Sequence, residues 1–303
     1  MMPSPESDVL RAKYSEMADR MADNPDMSLA QRRAMFEELH VMAVEPTRVT
    51  YEEVKAGPCR ALWCNPLDSD SERVLLYSHG GGFVTNSADS HRKVAAHLAK
   101  AAGARALVLD YRRAPEFPFP AQIEDAVGAY RWLLDQGFAA NHIASVGDSA
   151  GGNLSTAAVL AMRNKGLRLP AAIVAISPAY DLELTGSTIE SNREKDAILS
   201  RMPLDKTAMY LGEKGSVKDP LANPLYANLT GLPPIYLSCG TDEMLQDDAV
   251  RFAALAEKAG VSTTLDINEG MQHVHVYMAG RAPEADATIA AIGAWLRPLL
   301  QLN

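Results

Sequence analysis

The stretch GDSAGG, residues 147–152, decides how this sequence of 303 residues is interpreted. It contains the pattern G-x-S-x-G around Ser149, between the apolar segment IASVGD (143–148) and the helix-like segment NLSTAAVLAMRN (153–164). A serine on a sharp strand-to-helix turn, with small neighbours, is typical of a nucleophile elbow, where the hydroxyl stands clear at a sheet edge. The N–H groups that begin the following helix would face negative charge developing there. The stretch therefore predicts a serine nucleophile.

On both sides of this turn, short apolar segments alternate with helix-like segments. Strands are predicted at 74–79, 105–111, 143–148, 171–177, 234–240 and 263–269, after an antiparallel pair at 47–54 and 59–65. This alternation is typical of a parallel sheet covered on both faces. We therefore predict an α/β fold with a mostly parallel, eight-stranded sheet flanked by helices.

Two regions fall outside this alternation. Residues 1–45 predict two helices, from Ser7 to Ala22 and from Ser28 to Met42, with Ser28 as the N-cap of the second. Residues 180–223 are polar and irregular, with a short helical piece near 204–211, and are too long for an ordinary strand-to-helix connection. We assign both regions to a helical cap over a catalytic domain that spans residues 46–303.

The composition excludes several classes of function. The chain is 47% apolar, which favours one main domain, and its net charge of −9 is spread without basic runs, which argues against nucleic acid. It has no secretory start and no apolar run of membrane-spanning length, so we expect a cytoplasmic protein without a membrane partner. Three cysteines without paired spacing support neither disulfides nor zinc, and we expect no metal and no cofactor.

The segment HGGGF, residues 79–83, follows a predicted strand directly. Backbone N–H groups without side chains can close on a tetrahedral oxyanion from the side opposite the nucleophile turn. We expect the amides of Gly81, Gly82 and Ala150 to form this oxyanion hole. His79 is expected to support the loop by hydrogen bonds and not to transfer a proton.

The serine needs a base, which this kind of fold places near the carboxyl terminus. His273 and His275 occupy the corresponding region, in EGMQHVHVY, and their spacing indicates that only one of them is catalytic. Four further histidines lie upstream of the nucleophile, and we expect them to be solvated or to cap helices: His40, His91, His97 and His142.

Four segments together carry a resemblance: HGGGF, DYRRAPEFPFPA (110–121), GDSAGGNL (147–154) and GMQH (270–273). They resemble the bacterial hormone-sensitive-lipase-like carboxylesterases of the α/β-hydrolase fold. The resemblance implies a serine esterase of short- to medium-chain acyl esters with a two-part cap, and it admits a homodimer. The family pattern G-M-x-H implies that His273 is the base. The family usually continues with Gly-Phe, whereas this chain has Val274 and His275, and we expect His275 to pack beside the site.

The resemblance also bears on four acids in CGTDEMLQDDAV, residues 239–250. Asp247 and Asp248 begin an amphipathic segment, where a helix dipole favours negative charge. The family frame, an acid followed two residues later by Leu and four residues later by Asp, falls on Glu243. We therefore expect Glu243 to orient His273, and Asp242 to turn outward to solvent or the loop.

The same residues are compatible with other functions. A lactone hydrolase or an amidase would use the same serine, base and acid, since only the pocket shape and the leaving group differ. A non-catalytic small-molecule binder is a further alternative. A peptidase is the least favoured interpretation, because the sequence shows no large accessory domain that could shield a peptide. The expected partner is a small-molecule ester.

Overall fold

The computed structural model describes residues 3–202 and 205–302. Eight strands within these ranges form one sheet in the order β1-β2-β4-β3-β5-β6-β7-β8. The strands are β1 (Val49–Ala56), β2 (Cys59–Pro66), β3 (Val74–Ser78), β4 (Arg105–Asp110), β5 (Ile143–Asp148), β6 (Ala172–Ile176), β7 (Ile235–Gly240) and β8 (Thr263–Asn268). β2 pairs antiparallel with β1 and β4, and the other pairs are parallel. The predicted mostly parallel sheet is confirmed.

The helices cover both faces of this sheet. They are α1 (Asp8–Asp23), α2 (Leu29–Glu37), α3 (Ala88–Ala102), α4 (Ala121–Asp135), α5 (Ala150–Asn164), α6 (Thr188–Ser191), α7 (Asp205–Leu211), α8 (Gln246–Lys258) and α9 (Pro283–Leu299). α2 begins as predicted, because the Ser28 side chain accepts from the amide of Gln31 while the Gln31 side chain accepts from the amide of Ser28. A short 3₁₀ helix, Glu38–Val41, continues it. None of the described helices has the length and apolarity needed to cross a bilayer.

The central strands are apolar on both faces, as their burial between two helical layers requires. All residues of β3, β5, β6 and β7 are buried. One apolar cluster joins the sheet to α1, α2, α3 and α9, and a second joins the opposite face to α4, α5 and α8. The N-terminal helices therefore share a core with the sheet.

The long connection between β6 and β7 packs against the N-terminal helices. Arg32 on α2 pairs with Asp205 on α7 at 2.8 Å, and Arg11 on α1 donates to the carbonyl of Lys195 at 2.9 Å. α7 begins at Asp205 among the described residues, and the predicted start near Leu204 lies outside them. The N-terminal helices and the connection between β6 and β7 thus meet above the carboxyl ends of the strands.

These carboxyl ends bring the candidate residues together. HGGGF follows β3, Ser149 follows β5, Glu243 follows β7 and His273 follows β8. Parallel strands end at the same edge of a sheet, so segments distant in sequence converge on one site.

Candidate active site

Ser149 occupies a sharp turn between β5 and α5. Its backbone has φ 53° and ψ −122°, a conformation that side-chain-bearing residues rarely adopt. The amide of Ser149 donates to the carbonyl of Ile176 at 2.8 Å, and its carbonyl accepts from the amide of Ala179 at 3.1 Å. A Cβ on Gly151 would lie 2.0 Å from the carbonyl oxygen of Ser78, so only glycine permits this approach. Gly151 therefore allows α5 to begin in contact with the end of β3.

His273 lies on a loop that is fixed from two sides. The Tyr14 hydroxyl, on α1, donates to the carbonyl of His273 at 2.9 Å. The next residue, Val274, adopts φ 52°, and its amide donates to Oγ of Ser177 at 3.0 Å. An N-terminal helix thus contacts the backbone of the candidate base.

The predicted serine, histidine and glutamate form one hydrogen-bonded line. Nε2 of His273 lies 2.9 Å from Oγ of Ser149, and Nδ1 of His273 lies 2.6 Å from Oε2 of Glu243. The second carboxylate oxygen of Glu243 accepts from the amide of Gly240 at 2.9 Å, and the residue is completely buried. Nδ1 donates to the carboxylate, which leaves Nε2 free to accept the serine proton.

The carboxylate also changes the acidity of the imidazole. Burial lowers the pKa of His273, but the hydrogen bond to Glu243 and its negative charge outweigh burial and raise the pKa above its ordinary value. A raised pKa makes the ring a stronger base for the serine proton.

Asp242 points away from the histidine. Its carboxylate pairs with the guanidinium of Arg11 on α1, so the outward turn that the sequence predicts ends in an ion pair with the N-terminal helix.

The other two acids of this segment, Asp247 and Asp248, lie in the first turn of α8, as predicted. Asp248 is also buried and accepts from the amides of Tyr180 and Asp181, both at 2.8 Å. Burial raises the pKa of Asp248 to about 7.

The glycine loop after β3 lies beside Ser149. Gly81 has φ 110°, and its carbonyl accepts from the amide of Thr85 at 3.0 Å and from its hydroxyl at 2.8 Å. Within the described ranges, no group accepts a hydrogen bond from the amides of Gly81, Gly82 or Ala150. All three residues line the same cavity as Ser149. These amides are therefore available to a substrate oxygen.

His79 lies behind this loop and outside the proton path. Its ring stacks on Tyr111 at 4.1 Å between centroids, and Nδ1 donates to the carbonyl of Gly80 at 2.7 Å. Burial lowers the pKa of His79 to about 3, so the ring is neutral. A neutral, stacked ring fits the supporting role expected for it.

The expectation that His91 is solvated or caps a helix is wrong. This residue is completely buried, and its Nε2 lies 3.3 Å from Oδ2 of Asp148, 2.7 Å from the Tyr277 hydroxyl and 3.3 Å from the amide nitrogen of Gly80. The Tyr77 hydroxyl donates to Oδ1 of Asp148 at 2.7 Å. This polar network lies directly under the turn and the glycine loop.

The network also explains the charge state of Asp148. Burial alone would raise the pKa of Asp148, but the positive potential of His91 and the hydrogen bonds from His91 and Tyr77 lower it below the ordinary value. The sequence offered one signal for this residue, since it precedes Ser149 inside GDSAGG. Nothing local indicated its partners, which come from distant segments.

His275 packs away from the cavity. Its ring is buried, and Nε2 lies 2.8 Å from Oγ1 of Thr288 on α9. Burial lowers the pKa of His275 to about 4. His275 therefore affects the packing behind His273, whereas Val274, the other departure from the family's Gly-Phe pattern, lines the cavity at Ser149.

The main cavity opens onto Ser149 and is largely apolar. The N-terminal helices contribute Tyr14, Phe36 and Leu39 to its wall, and the connection between β6 and β7 contributes Leu182, Leu184, Ile189, Ile198, Leu199 and Met202.

Across residues 3–202 and 205–302, no group of three or more His, Cys, Asp or Glu side chains could hold a metal ion.

Comparison with known proteins agrees with this geometry. A family model described as the alpha/beta hydrolase fold matches residues 75–277. A solved esterase of the bacterial hormone-sensitive lipase family is similar at a TM-score of 0.93 and 39% identity, covering 99% of this chain and 100% of that one. The chain belongs to this family of α/β hydrolases.

Two other family relatives are similar over most of their length. An acetyl-hydrolase of Streptomyces hygroscopicus is 39% identical over 269 residues, which cover 84% of this chain and 90% of the relative. The structure of EstE5 soaked with p-nitrophenyl butyrate has a TM-score of 0.90 at 37% identity, covering 98% and 99% of the two chains. The predicted family and fold are confirmed.

The geometry distinguishes the two adjacent acids. We expect Glu243→Gln to lower kcat by about 10³-fold or more, because the amide cannot stabilise the imidazolium. Asp242→Asn is the matched control and should change kcat less than about threefold, since its ion pair with Arg11 lies outside the line from Ser149 to Glu243. Steady-state hydrolysis of p-nitrophenyl butyrate measures both effects. Equal losses in the two variants would contradict the assignment of Glu243.

The pH profile of the same variants tests whether Glu243 acts through the imidazole. We expect the neutral form of His273 to act as the base, so kcat/KM should rise with pH through its pKa, above the ordinary value near 6.5. Glu243→Gln removes the charge that raises this pKa and should move the acidic limb to lower pH. An unmoved limb would indicate a merely structural carboxylate.

Proposed function

We propose that this chain is a serine carboxylesterase that hydrolyses short- to medium-chain acyl esters through an acyl-enzyme intermediate. Its family makes it a carboxylic ester hydrolase. The observation that carries the mechanism is the hydrogen-bonded line from Ser149 through His273 to Glu243, at 2.9 and 2.6 Å, beside amides without acceptors. A non-catalytic binder would have no need of this arrangement.

In the acylation step, Oγ of Ser149 attacks the ester carbonyl while Nε2 of His273 takes the hydroxyl proton. The carbonyl oxygen becomes an oxyanion and accepts from the amides of Gly81, Gly82 and Ala150. Each such donor contributes about 3 kcal/mol to lowering the barrier. The C–O bond then breaks, and the imidazolium returns its proton to the leaving alcohol.

Deacylation repeats these steps with water. Nε2 of His273 takes a proton from a water molecule, whose oxygen attacks the acyl carbon of the ester formed on Ser149. The oxyanion again rests on the three amides. When it collapses, the acid leaves and Oγ of Ser149 recovers its proton from the imidazolium. Glu243 keeps the ring in one tautomer and stabilises its positive charge in both halves.

The cap determines which acyl chains fit. Residues 1–45 and about 180–223 are proposed to form it over the catalytic domain of residues 46–303. The apolar side chains that these regions contribute to the cavity support this proposal. The hydrogen bond from Tyr14 to the carbonyl of His273 links the cap to the base. An apolar enclosure favours an acyl chain over a peptide substrate.

A single substitution tests the acyl-enzyme. With p-nitrophenyl butyrate, the wild-type chain should release a burst of p-nitrophenolate matching the enzyme concentration wherever deacylation limits turnover, and Ser149→Ala should show neither burst nor turnover. Ser155→Ala, a buried serine on the same helix, is the control and should retain turnover. Undiminished turnover in Ser149→Ala would exclude this mechanism.

Two cavity-filling substitutions test the cap. Leu39→Phe, from the N-terminal region, and Met202→Trp, from the connection, should each lower kcat/KM for p-nitrophenyl decanoate relative to the acetate by about tenfold, because the added volume excludes long chains. Leu255→Trp on the exposed face of α8 is the control, and its chain-length profile should match wild type. Unchanged profiles in both cap variants would refute the cap.

A further inference from the structure

One charged side chain in the main cavity takes no part in the proposed acylation and deacylation steps. Lys206, on α7, lines the cavity together with Ser149 and Gly82. Its Nζ lies 3.5 Å from the carbonyl oxygen of Gly81 and 3.5 Å from Oγ1 of Thr85. Both distances are at the outer limit of a hydrogen bond, so the three ammonium donors are poorly used.

No carboxylate in the described ranges forms an ion pair with Lys206. The adjacent Asp205 directs its carboxylate to Arg32 at 2.8 Å. Asp181, the acid that lines the cavity, pairs with Arg251 at 2.7 Å. The positive charge inside the cavity therefore lacks a counterion from the protein.

The surroundings of the ammonium offer it an aromatic face but disfavour its charge. Nζ lies 4.4 Å from the centroid of the Phe36 ring, a distance at which the π face attracts a cation. Burial, followed by the positive charge of Arg32, lowers the pKa of Lys206 to about 7, although Asp205 acts in the opposite direction. A desolvated ammonium in this state gains strongly from an added anion.

Two further polar groups in the cavity wall lack partners. The Tyr210 hydroxyl and Oδ1 of Asn86 have no hydrogen-bond partner among the described residues, and each residue is only 1% exposed. Tyr210 follows Lys206 by four residues on α7, so the two side chains share one helix face. Rotating the Asn86 amide would present its two N–H donors. A ligand oxygen would satisfy groups that are otherwise costly to bury.

We infer that Lys206 forms a subsite for a carboxylate carried by the ester substrate, on either its acyl chain or its alcohol. This inference rests on the proposed esterase function, since it names the ester class that the same cavity favours. Half-esters of dicarboxylic acids carry the carboxylate on the acyl chain. Acetate esters of hydroxy acids carry it on the alcohol.

The experiment compares anionic and neutral esters of matched length. In a pH-stat, kcat/KM is measured for monomethyl adipate against methyl hexanoate, and for 4-acetoxybutanoate against butyl acetate. Lys206→Met keeps the length of the side chain and removes its charge. It should lower the anionic-to-neutral ratio in at least one pair by about tenfold or more, mainly through KM, because the lost contact is present before the reaction.

Two further variants serve as controls. Lys206→Arg preserves the charge and should retain most of the wild-type ratio. Lys214→Met removes an exposed charge just after α7 that does not line the cavity, and it should not lower the ratio. Calorimetric titration with adipate and with 4-hydroxybutanoate measures the subsite without turnover, and Lys206→Met should weaken at least one of them about tenfold.

Unchanged ratios and affinities in Lys206→Met would overturn the inference. Equal losses on anionic and neutral esters would also overturn it, because they would mean that Lys206 acts only on the Gly81 peptide. Failure of the proposed function gives a different result, in which wild type hydrolyses none of the four esters. The calorimetric affinities would then still decide the subsite.

Discussion

The contact between Gly151 and the carbonyl of Ser78 is the constraint on which the site depends. Helix α5 can start against β3 only because residue 151 has no Cβ, and this close start forces Ser149 into its strained conformation. The strain holds Oγ at the sheet edge, where the helix amides and the glycine loop also converge. The free energy for this geometry comes from the large buried sheet and its two apolar clusters.

A buried polar layer transmits this constraint to the rest of the site. Asp148, one residue before Ser149, accepts from the Tyr77 hydroxyl, and Nε2 of His91 lies 3.3 Å from both Oδ2 of Asp148 and the amide nitrogen of Gly80 in the glycine loop. Satisfied buried networks of this kind fix a single arrangement, because each broken bond leaves a polar group without water. The turn at Ser149 and the glycine loop are therefore positioned as one unit, and Tyr14 of α1 holds the His273 loop.

Local sequence signals predicted much of this structure and missed its long-range contacts. Segments such as IASVGD have the composition and length of buried strands, so β5 was predictable residue for residue, and glycine patterns marked both loops. The family frame selected Glu243, which the structure places against His273. The partners of His91 and Lys206 were not predictable, because they come from segments far apart in sequence whose approach depends on the complete fold.

Ser149 is proposed to be the nucleophile of a working triad. Treatment with diethyl p-nitrophenyl phosphate, which traps an activated serine, followed by intact mass spectrometry and peptide mapping, measures directly which residue is activated. We expect a single diethylphosphoryl group per chain, on the peptide that contains Ser149, formed far more slowly in Glu243→Gln. An unmodified chain, or a phosphoryl group on a different residue, would contradict it.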